Sequence, residues 1–220
     1  PPMSDTSSTN AQKYLEELGV EIHLNTFVDS YENQVVKTSN EELSFNTETF
    51  IWSAGVTGAA IEGLKNRALL EKANRYKVNT FNQIEGYDNV FAIGDIALMS
   101  SSDYPKGHPM VAQPAIQQGR HLAKNLLRIL NKQNLLPFDY FDKGTMATVG
   151  RNKAVVDLNK IKFGGAFAWF VWMFVHLWFL VGFRNRVVTF INWTYSYINY
   201  DRAARLIVRP FKADKLKSPD

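Results

Sequence analysis

Apolar residues in this chain recur with two periods, and each predicts its own elements. From Ser8 to Gly19, the positions Ala11, Tyr14, Leu15 and Leu18 follow the i, i+3, i+4, i+7 spacing of one helix face. Serine or threonine suits the start of that helix and Gly19 a left-handed exit. Next come "VEIHLNT", "QVVKT", "ELSF" and "TFIWS", short β-prone runs parted by Asn, Asp, Ser and Glu turns. They predict a small antiparallel meander that returns to a buried strand. Asn79 to Phe81 predicts a short strand, and Val90 to Ile93 is an unbroken apolar run of the kind buried on both sheet faces. After the polar loop Ser100 to Pro109, a helix is expected near Ala112, with Pro114 in its tolerant first turn. Its predicted core stripe is Ala115, Gly119, Leu122, Ala123, Leu126, Leu127 and Leu130.

Beyond it, "GTMATVGRNKAVVDL" predicts a hairpin turning at Gly150 to Lys153. Two unusual helices follow. Ala166 to Val181 is aromatic and aliphatic throughout, bounded by Gly164, Gly165 and Gly182, with His176 its one clearly polar residue. Val187 to Tyr200 carries a single polar stripe, Thr189, Asn192, Ser196 and Asn199, on an otherwise apolar cylinder. The first is about 24 Å long, short of the roughly 30 Å of bilayer hydrocarbon. The second, with the basic residues after it, favours lying on an anionic membrane surface over spanning it.

Composition narrows the chemistry. With 220 residues and 45% hydrophobic content there is material for one large or two small cored domains. The absence of cysteine excludes disulfides, thiolate metal sites and a dithiol relay within these residues. Four histidines, at 23, 108, 121 and 176, lack metal-ligand spacing, so no metal site is expected. The net charge of +4 is uneven: eight cations against two aspartates stand between Arg184 and Lys217, which leaves the rest slightly acidic. That distribution does not suit a general nucleic-acid binder, and it makes the basic end a separate feature with a membrane surface or plain solvation as its readings. The opening "PPMSDTSST" has no signal-peptide pattern and suggests a fragment.

The candidate chemistry centres on "NVFAIGDIA", Asn89 to Ala97. At the end of a strand the chain turns toward the crevice where α/β sheets bind ligands. Gly94 lets a ligand chain run against the backbone, and the carboxylate of Asp95 accepts hydrogen bonds from a polyol such as the ribityl arm of a flavin. An ordinary strand-to-loop turn, with the aspartate bonding its own backbone, is the other reading.

"TFIWSAGV" followed some forty residues later by "NVFAIGDIA" resembles the second half of the two-dinucleotide-binding-domain flavoprotein reductases. With "AQPAIQQG", "DKGTMATVGRNKAV", "WFVWMFVHLWFLVGFRNR" and "YDRAARLI" added, most of the chain resembles the type II NADH:quinone oxidoreductases in order and spacing. The resemblance implies an α/β fold: the end of an NADH-binding domain over 1–58, the C-terminal part of an FAD-binding domain over 59–135, and a hairpin with membrane-anchoring helices over 136–220.

It also implies roles. Gly94 and Asp95 hold the ribityl chain. The helix starting at Ala112, with Gln113 and Ala115, directs its N-terminus at the flavin's pyrimidine edge, where free amides stabilise negative charge. Gln113, Ile116 and Gln117 share one helix face and border the quinone. Ser53, Ala54 and Gly55 lie near NADH, ordinary strand-end packing being the alternative. Lys143, Gly144 and Met146 match a family signature whose expected role is packing. His176 is expected to be structural, and Trp169 and Trp172 to sit in a headgroup belt.

The implied activity is electron transfer from NADH through FAD to a membrane quinone without proton pumping. The implied location is the cytoplasmic face of a bacterial inner membrane, peripheral or monotopic, with homodimerisation open. A flavin reductase with another acceptor and a non-catalytic membrane-docking module are the rivals. No G-x-G-x-x-G occurs in the chain, so both nucleotide fingerprints are expected upstream of Pro1, and the segment alone is expected to bind neither nucleotide well.

Overall fold

The computed structural model describes residues 3–61, 64, 70–158 and 160–199. The chain divides into two compact units. One comprises residues 1–14, 146–157 and 161–220, and the other residues 15–145 and 158–160.

The larger unit contains two small sheets and one long helix. Strands β1 (Val28–Glu32), β2 (Val35–Thr38) and β3 (Ser44–Asn46) form an antiparallel meander in that order. Asn33 and Gln34, both at positive φ, make the tight β1–β2 turn. β4 (Leu70–Glu71) pairs antiparallel with β5 (Arg75–Lys77), which pairs in parallel with β6 (Ala97–Leu98). Around this second sheet Tyr76, Val78, Ile84, Ala92, Ala97, Met99 and Phe138 form the buried core. Its helix begins at Ala112, as the sequence predicts, and ends at Leu130.

The smaller unit has an antiparallel-hairpin sequence pattern at its centre, and a three-stranded sheet forms there, ordered β7 (Thr145–Gly150), β8 (Lys153–Leu158) and β9 (Ile161–Gly164). Asn152, at φ +60°, makes the left-handed corner in the predicted 150–153 turn. Ala154, Val155 and Val156 are fully buried. The first helix, α1, runs Asp5–Glu17, a turn earlier than its apolar spacing suggests, and Gly19 leaves it at φ +82°. Ser4 sits just ahead of α1, and its backbone N–H donates to Asp157 Oδ2 of β8 at 2.6 Å. With the helix at Ala112 taken as α2, the last two are α3 (Gly165–Phe179) and α4 (Phe183–Asn199), which pack together. Trp172 stacks on His176 at 4.1 Å and on Trp193 of α4 at 5.8 Å. The His176 Nδ1 lies 2.7 Å from the Trp172 carbonyl oxygen, so the histidine is held within its own helix. Among the described residues no helix is long and apolar enough to cross a membrane. Of the eight cations from Arg184 to Lys217, Arg184 and Arg186 lie on α4; those from Arg202 onward, with the segment "YDRAARLI", lie outside the described residues.

Four predicted strands are not strands. Residues 20–26, 49–53 and 79–81 are irregular or turn, and 90–93 makes only the isolated bridge Gln83↔Phe91. β propensity describes a side chain that fits a pleated surface, and it yields a strand only where a neighbour supplies ladder hydrogen bonds. Residues 49–53 have no such neighbour among the described residues, and Ile51 and Trp52 are 80% and 61% exposed. The predicted core stripe of α2 is also corrected: Leu127 and Leu130 are 61% and 78% exposed, while Pro114, Gln118 and Asn125 are the buried positions.

Candidate functional site

The Gly94–Asp95 turn forms against the first turns of α2. Residues 94–96 make one turn of tight helix entered from extended Ile93 and left at Ala97. Gly94 sits at φ +70°, a conformation that strains any L-residue. A Cβ placed on it would meet the Ala115 Cβ at 3.2 Å. The approach of α2 therefore adds to the backbone conformation in disfavouring a side chain at Gly94. Gln118 completes the joint: its Oε1 accepts from the Gly94 N–H at 2.6 Å, and the side chain is almost fully buried. Hydropathy conceals this residue, because it places glutamine on the outside of a helix.

Asp95 is exposed at the tip of the turn. α2 starts from extended Val111, and no side chain caps it. The N–H groups of Ala112 and Gln113 are thus without intrahelical partners, Pro114 has none to offer, and the Ala115 N–H begins the helix ladder at the Val111 carbonyl. An exposed carboxylate on a turn that touches the start of an uncapped helix can accept hydrogen bonds from hydroxyls and favour negative charge nearby.

Gln113 is half-buried and Ile116 is exposed on the same helix. Gln117 has a definite occupation. Its Nε2 donates to the Phe141 carbonyl at 2.9 Å, and its Oε1 accepts from the Phe141 N–H at 3.1 Å. The same face of α2 continues the pattern. Asn125, wholly buried, donates to the Leu136 carbonyl at 2.9 Å and accepts from the Leu136 N–H at 3.0 Å. His121 Nε2 approaches that carbonyl at 2.8 Å, and the Arg128 Nε donates to the Asn134 carbonyl at 2.5 Å. Gln117, His121, Asn125 and Arg128, at spacings of 4, 4 and 3, thus grip an extended strap over residues 134–141 that has no ladder to satisfy its backbone. That grip explains why polar side chains occupy the buried face of α2.

Ser53, Ala54 and Gly55 are exposed in irregular backbone, Gly55 at φ +89°. The chain regains anchorage just after them, where the Gly58 N–H donates to the Ala73 carbonyl at 2.7 Å and the Ile61 N–H to Tyr76 Oη at 2.8 Å. The structure brings Gly94 and Ala115 into contact, with Asp95 beside them, and Gln113, Ile116 and Gln117 follow on α2; among the described residues no hydrogen bond joins Ser53, Ala54 or Gly55 to that group. Of the signature residues, Gly144 turns at φ +86° after its N–H is bonded by Asp142 Oδ1 at 2.8 Å, and Met146 lies on β7.

Below the turn lies a buried polar cluster that sequence patterning did not single out. Arg75 and His108 are 6% and 5% exposed. The His108 ring packs against Tyr104, Tyr140 and Phe138 at centroid distances of 5.0, 5.2 and 5.6 Å. Burial and the neighbouring Arg75 charge push the His108 pKa down, Asp139 opposing, so the ring is held neutral. Burial, with Asp142 and Tyr104 adding, pushes the Tyr140 phenol up to about 12.

The Gly-Asp turn packed on the start of α2 lies within the stretch that a family model recognises. Residues 1–119 match the model of the pyridine nucleotide-disulphide oxidoreductases, and the chain belongs to that family. Residues 143–199 match the NDH2 C-terminal domain. More particularly, the chain is similar to type II NADH:quinone oxidoreductases. It is 35% identical over 211 residues to the protein Ndh of Mycobacterium tuberculosis, covering 92% of this chain and 44% of that one. It is 33% identical over 162 residues to the enzyme of Staphylococcus aureus, covering 70% of this chain and 39% of the relative. The chain thus spans less than half the length of these curated relatives. In fold it is like NDH2 from Plasmodium falciparum, solved in complex with NADH, with a TM-score of 0.77 at 16% identity over 88% of this chain and 55% of that one.

Proposed function

We propose that this chain is the part of a type II NADH:quinone oxidoreductase that holds the ribityl and pyrimidine side of FAD and carries the enzyme onto a membrane surface. The observation that carries the reading is the joint between the Gly94–Asp95 turn and the uncapped start of α2, in a chain similar to enzymes of that name. The group fits the residues present: the Asp95 carboxylate would hold the polyol, and the free amides of Ala112 and Gln113, with Ala115 on the same first turn, would lie by the electron-rich ring edge. Bound FAD would supply two-electron transfer from NADH to a quinone, which side chains alone cannot perform.

The protein's own part is to bind, orient and exclude. Gln113 and exposed Ile116 offer one polar and one apolar contact to a quinone. Gln117 already spends both ends of its carboxamide on Phe141, so in this reading it supports that face by fixing the strap. Ser53, Ala54 and Gly55 are the NADH-side candidates. The chain carries no dinucleotide fingerprint, and the reading gives it no part in cradling either pyrophosphate.

Membrane contact is supported by α3 and α4, whose Phe167, Phe174, Trp178, Phe190, Ile191 and Ile198 are exposed. A helix pair with this much solvent-facing aromatic surface suits the interfacial zone of a bilayer, at the cytoplasmic face in this reading. In this reading the reaction passes electrons without pumping ions.

The test is to purify the gene's full product in mild detergent and measure bound flavin, its bleaching by NADH, and its recovery on adding a soluble quinone analogue. Bleaching and recovery support the reading. A colourless protein that FAD does not restore contradicts it, and lipid-vesicle binding by that colourless protein would favour a membrane-docking module.

A further inference from the structure

One guanidinium ties together the two sides of the candidate flavin site. Arg75 lies on β5, buried, and its Nη2 donates to the Ala97 carbonyl at 2.5 Å and to the His108 carbonyl at 3.1 Å. Ala97 is the residue on which the Gly94–Ile96 turn ends. His108 stands three residues before Val111, from which α2 starts. The single nitrogen therefore bridges the turn that bears Asp95 and the loop that delivers the helix N-terminus.

The surroundings leave the bridge little slack. Gly107 adopts φ +79°, and a Cβ there would stand 3.1 Å from Leu98 Cγ and 3.2 Å from Arg75 Nη1. The His108 ring is fixed among three aromatic rings. Arg75 also has a counter-charge, since Asp95 acts on it favourably while burial disfavours its charged form. A buried cation is a costly way to fill a sheet core, because an apolar side chain of similar volume packs there without desolvation. The two carbonyls and the Asp95 charge give the cation a reason to be there, and all three belong to the walls of one site.

We propose that Arg75 is a positioning residue for the flavin, fixing the Asp95 turn against the start of α2 so that the polyol and ring-edge contacts are presented together. This role rests on the flavin reading above. It predicts that Arg75 acts on binding through geometry, with no contact to the flavin required.

The experiment titrates the full gene product, stripped of flavin, with FAD and with riboflavin, which lacks the adenylate half, by quenching of flavin fluorescence. Wild type, Arg75→Met, Arg75→Lys and Gly107→Ala are compared, and each is also unfolded in urea. Arg75→Met is expected to weaken both ligands about tenfold, the loss that goes with about one hydrogen bond to a charged group. Arg75→Lys should recover binding to within about threefold, since an ammonium can donate to both carbonyls. Gly107→Ala, which presses on the guanidinium, should fall between them. Amide hydrogen exchange over 94–98 and 107–113, measured without flavin, should quicken in Arg75→Met and return toward wild type in Arg75→Lys.

Wild-type affinity in Arg75→Met overturns the role, as does an equal loss in Met and Lys variants that simply follows their urea midpoints. Should Arg75→Met fail to fold, undiminished binding by Gly107→Ala overturns it instead. A wild type that binds neither FAD nor riboflavin overturns the flavin reading itself, which the variant comparisons do not.

Discussion

Replacing Gly94 with alanine tests the joint at the centre of the site. Three costs follow from the geometry. An L-residue at φ +70° costs about 1–2 kcal/mol. The new methyl would sit 3.2 Å from the Ala115 Cβ, inside the roughly 3.5–4.0 Å optimum for carbon pairs, so α2 or the turn must shift by a few tenths of an ångström. Any such shift strains the 2.6 Å bond from the Gly94 N–H to Gln118 Oε1, worth about 1 kcal/mol. Together the local penalty is about 2–3 kcal/mol, or roughly 30- to 150-fold faster amide exchange over residues 93–98. Adding Ala115→Gly removes the methyl contact and leaves the φ strain. That change alone costs about 1 kcal/mol in a helix interior, so the double variant should be less destabilised than the sum of the two single variants by about 0.5–1 kcal/mol. Hydrogen-exchange mass spectrometry on the four proteins reads this cycle. Unchanged exchange in Gly94→Ala would refute the left-handed turn, and strictly additive variants would refute the contact with α2.

Other consequences can be checked independently. Asn125→Ala strands the Leu136 N–H and leaves its carbonyl to His121 alone, and should cost about 1–3 kcal/mol, seen as a lowered urea midpoint and faster proteolysis within 131–137. His108 has a folded pKa below its ordinary 6.5, so the unfolded chain takes up its proton first; the stability it contributes is complete above pH 6.5 and is lost as pH falls below it, which a pH series of urea midpoints with a His108→Phe control will show. Tyr140 runs the opposite way on the alkaline side: its stabilisation is complete below the ordinary phenol value of 10 and is lost as pH rises from there to about 12, and Tyr140→Phe should remove one phenolate from the late part of the ultraviolet titration, to which Tyr104 also contributes. Asp157, whose pKa is lowered by hydrogen bonds from the Ser4 side chain and backbone, stabilises α1 above the ordinary carboxylate value of 3.8 and stops doing so as pH falls below it; Asp157→Asn should flatten the acid limb of helix content measured by circular dichroism.

The sequence is informative where a single residue has one strong local preference. Pro114 and the apolar run behind it locate the start of α2 at Ala112, and Asn152 locates the β7–β8 corner, because φ preferences act within a few residues. The position of the Gly-Asp turn is equally legible, yet its cause is not, since the atom that forbids a side chain at Gly94 belongs to Ala115, twenty-one residues on. Hydropathy misreads α2 for a related reason. It ranks side chains by transfer from water and takes no account of the strap's unpaired backbone, which draws Gln117, His121 and Asn125 to the covered face. Arg75 and Gln118 are invisible to patterning on the same grounds: each is a polar residue placed by a backbone partner distant in sequence.

The account stands most directly on whether Asp95 and the start of α2 hold a flavin. Equilibrium dialysis of FAD against the full gene product and its Asp95→Ala variant, both shown to be folded by circular dichroism, decides it. The prediction is near-stoichiometric binding by the wild type and at least tenfold weaker binding by the variant, the loss expected for a charged hydrogen-bond acceptor worth about 1.5–3 kcal/mol. Equal affinity in the two proteins would contradict it.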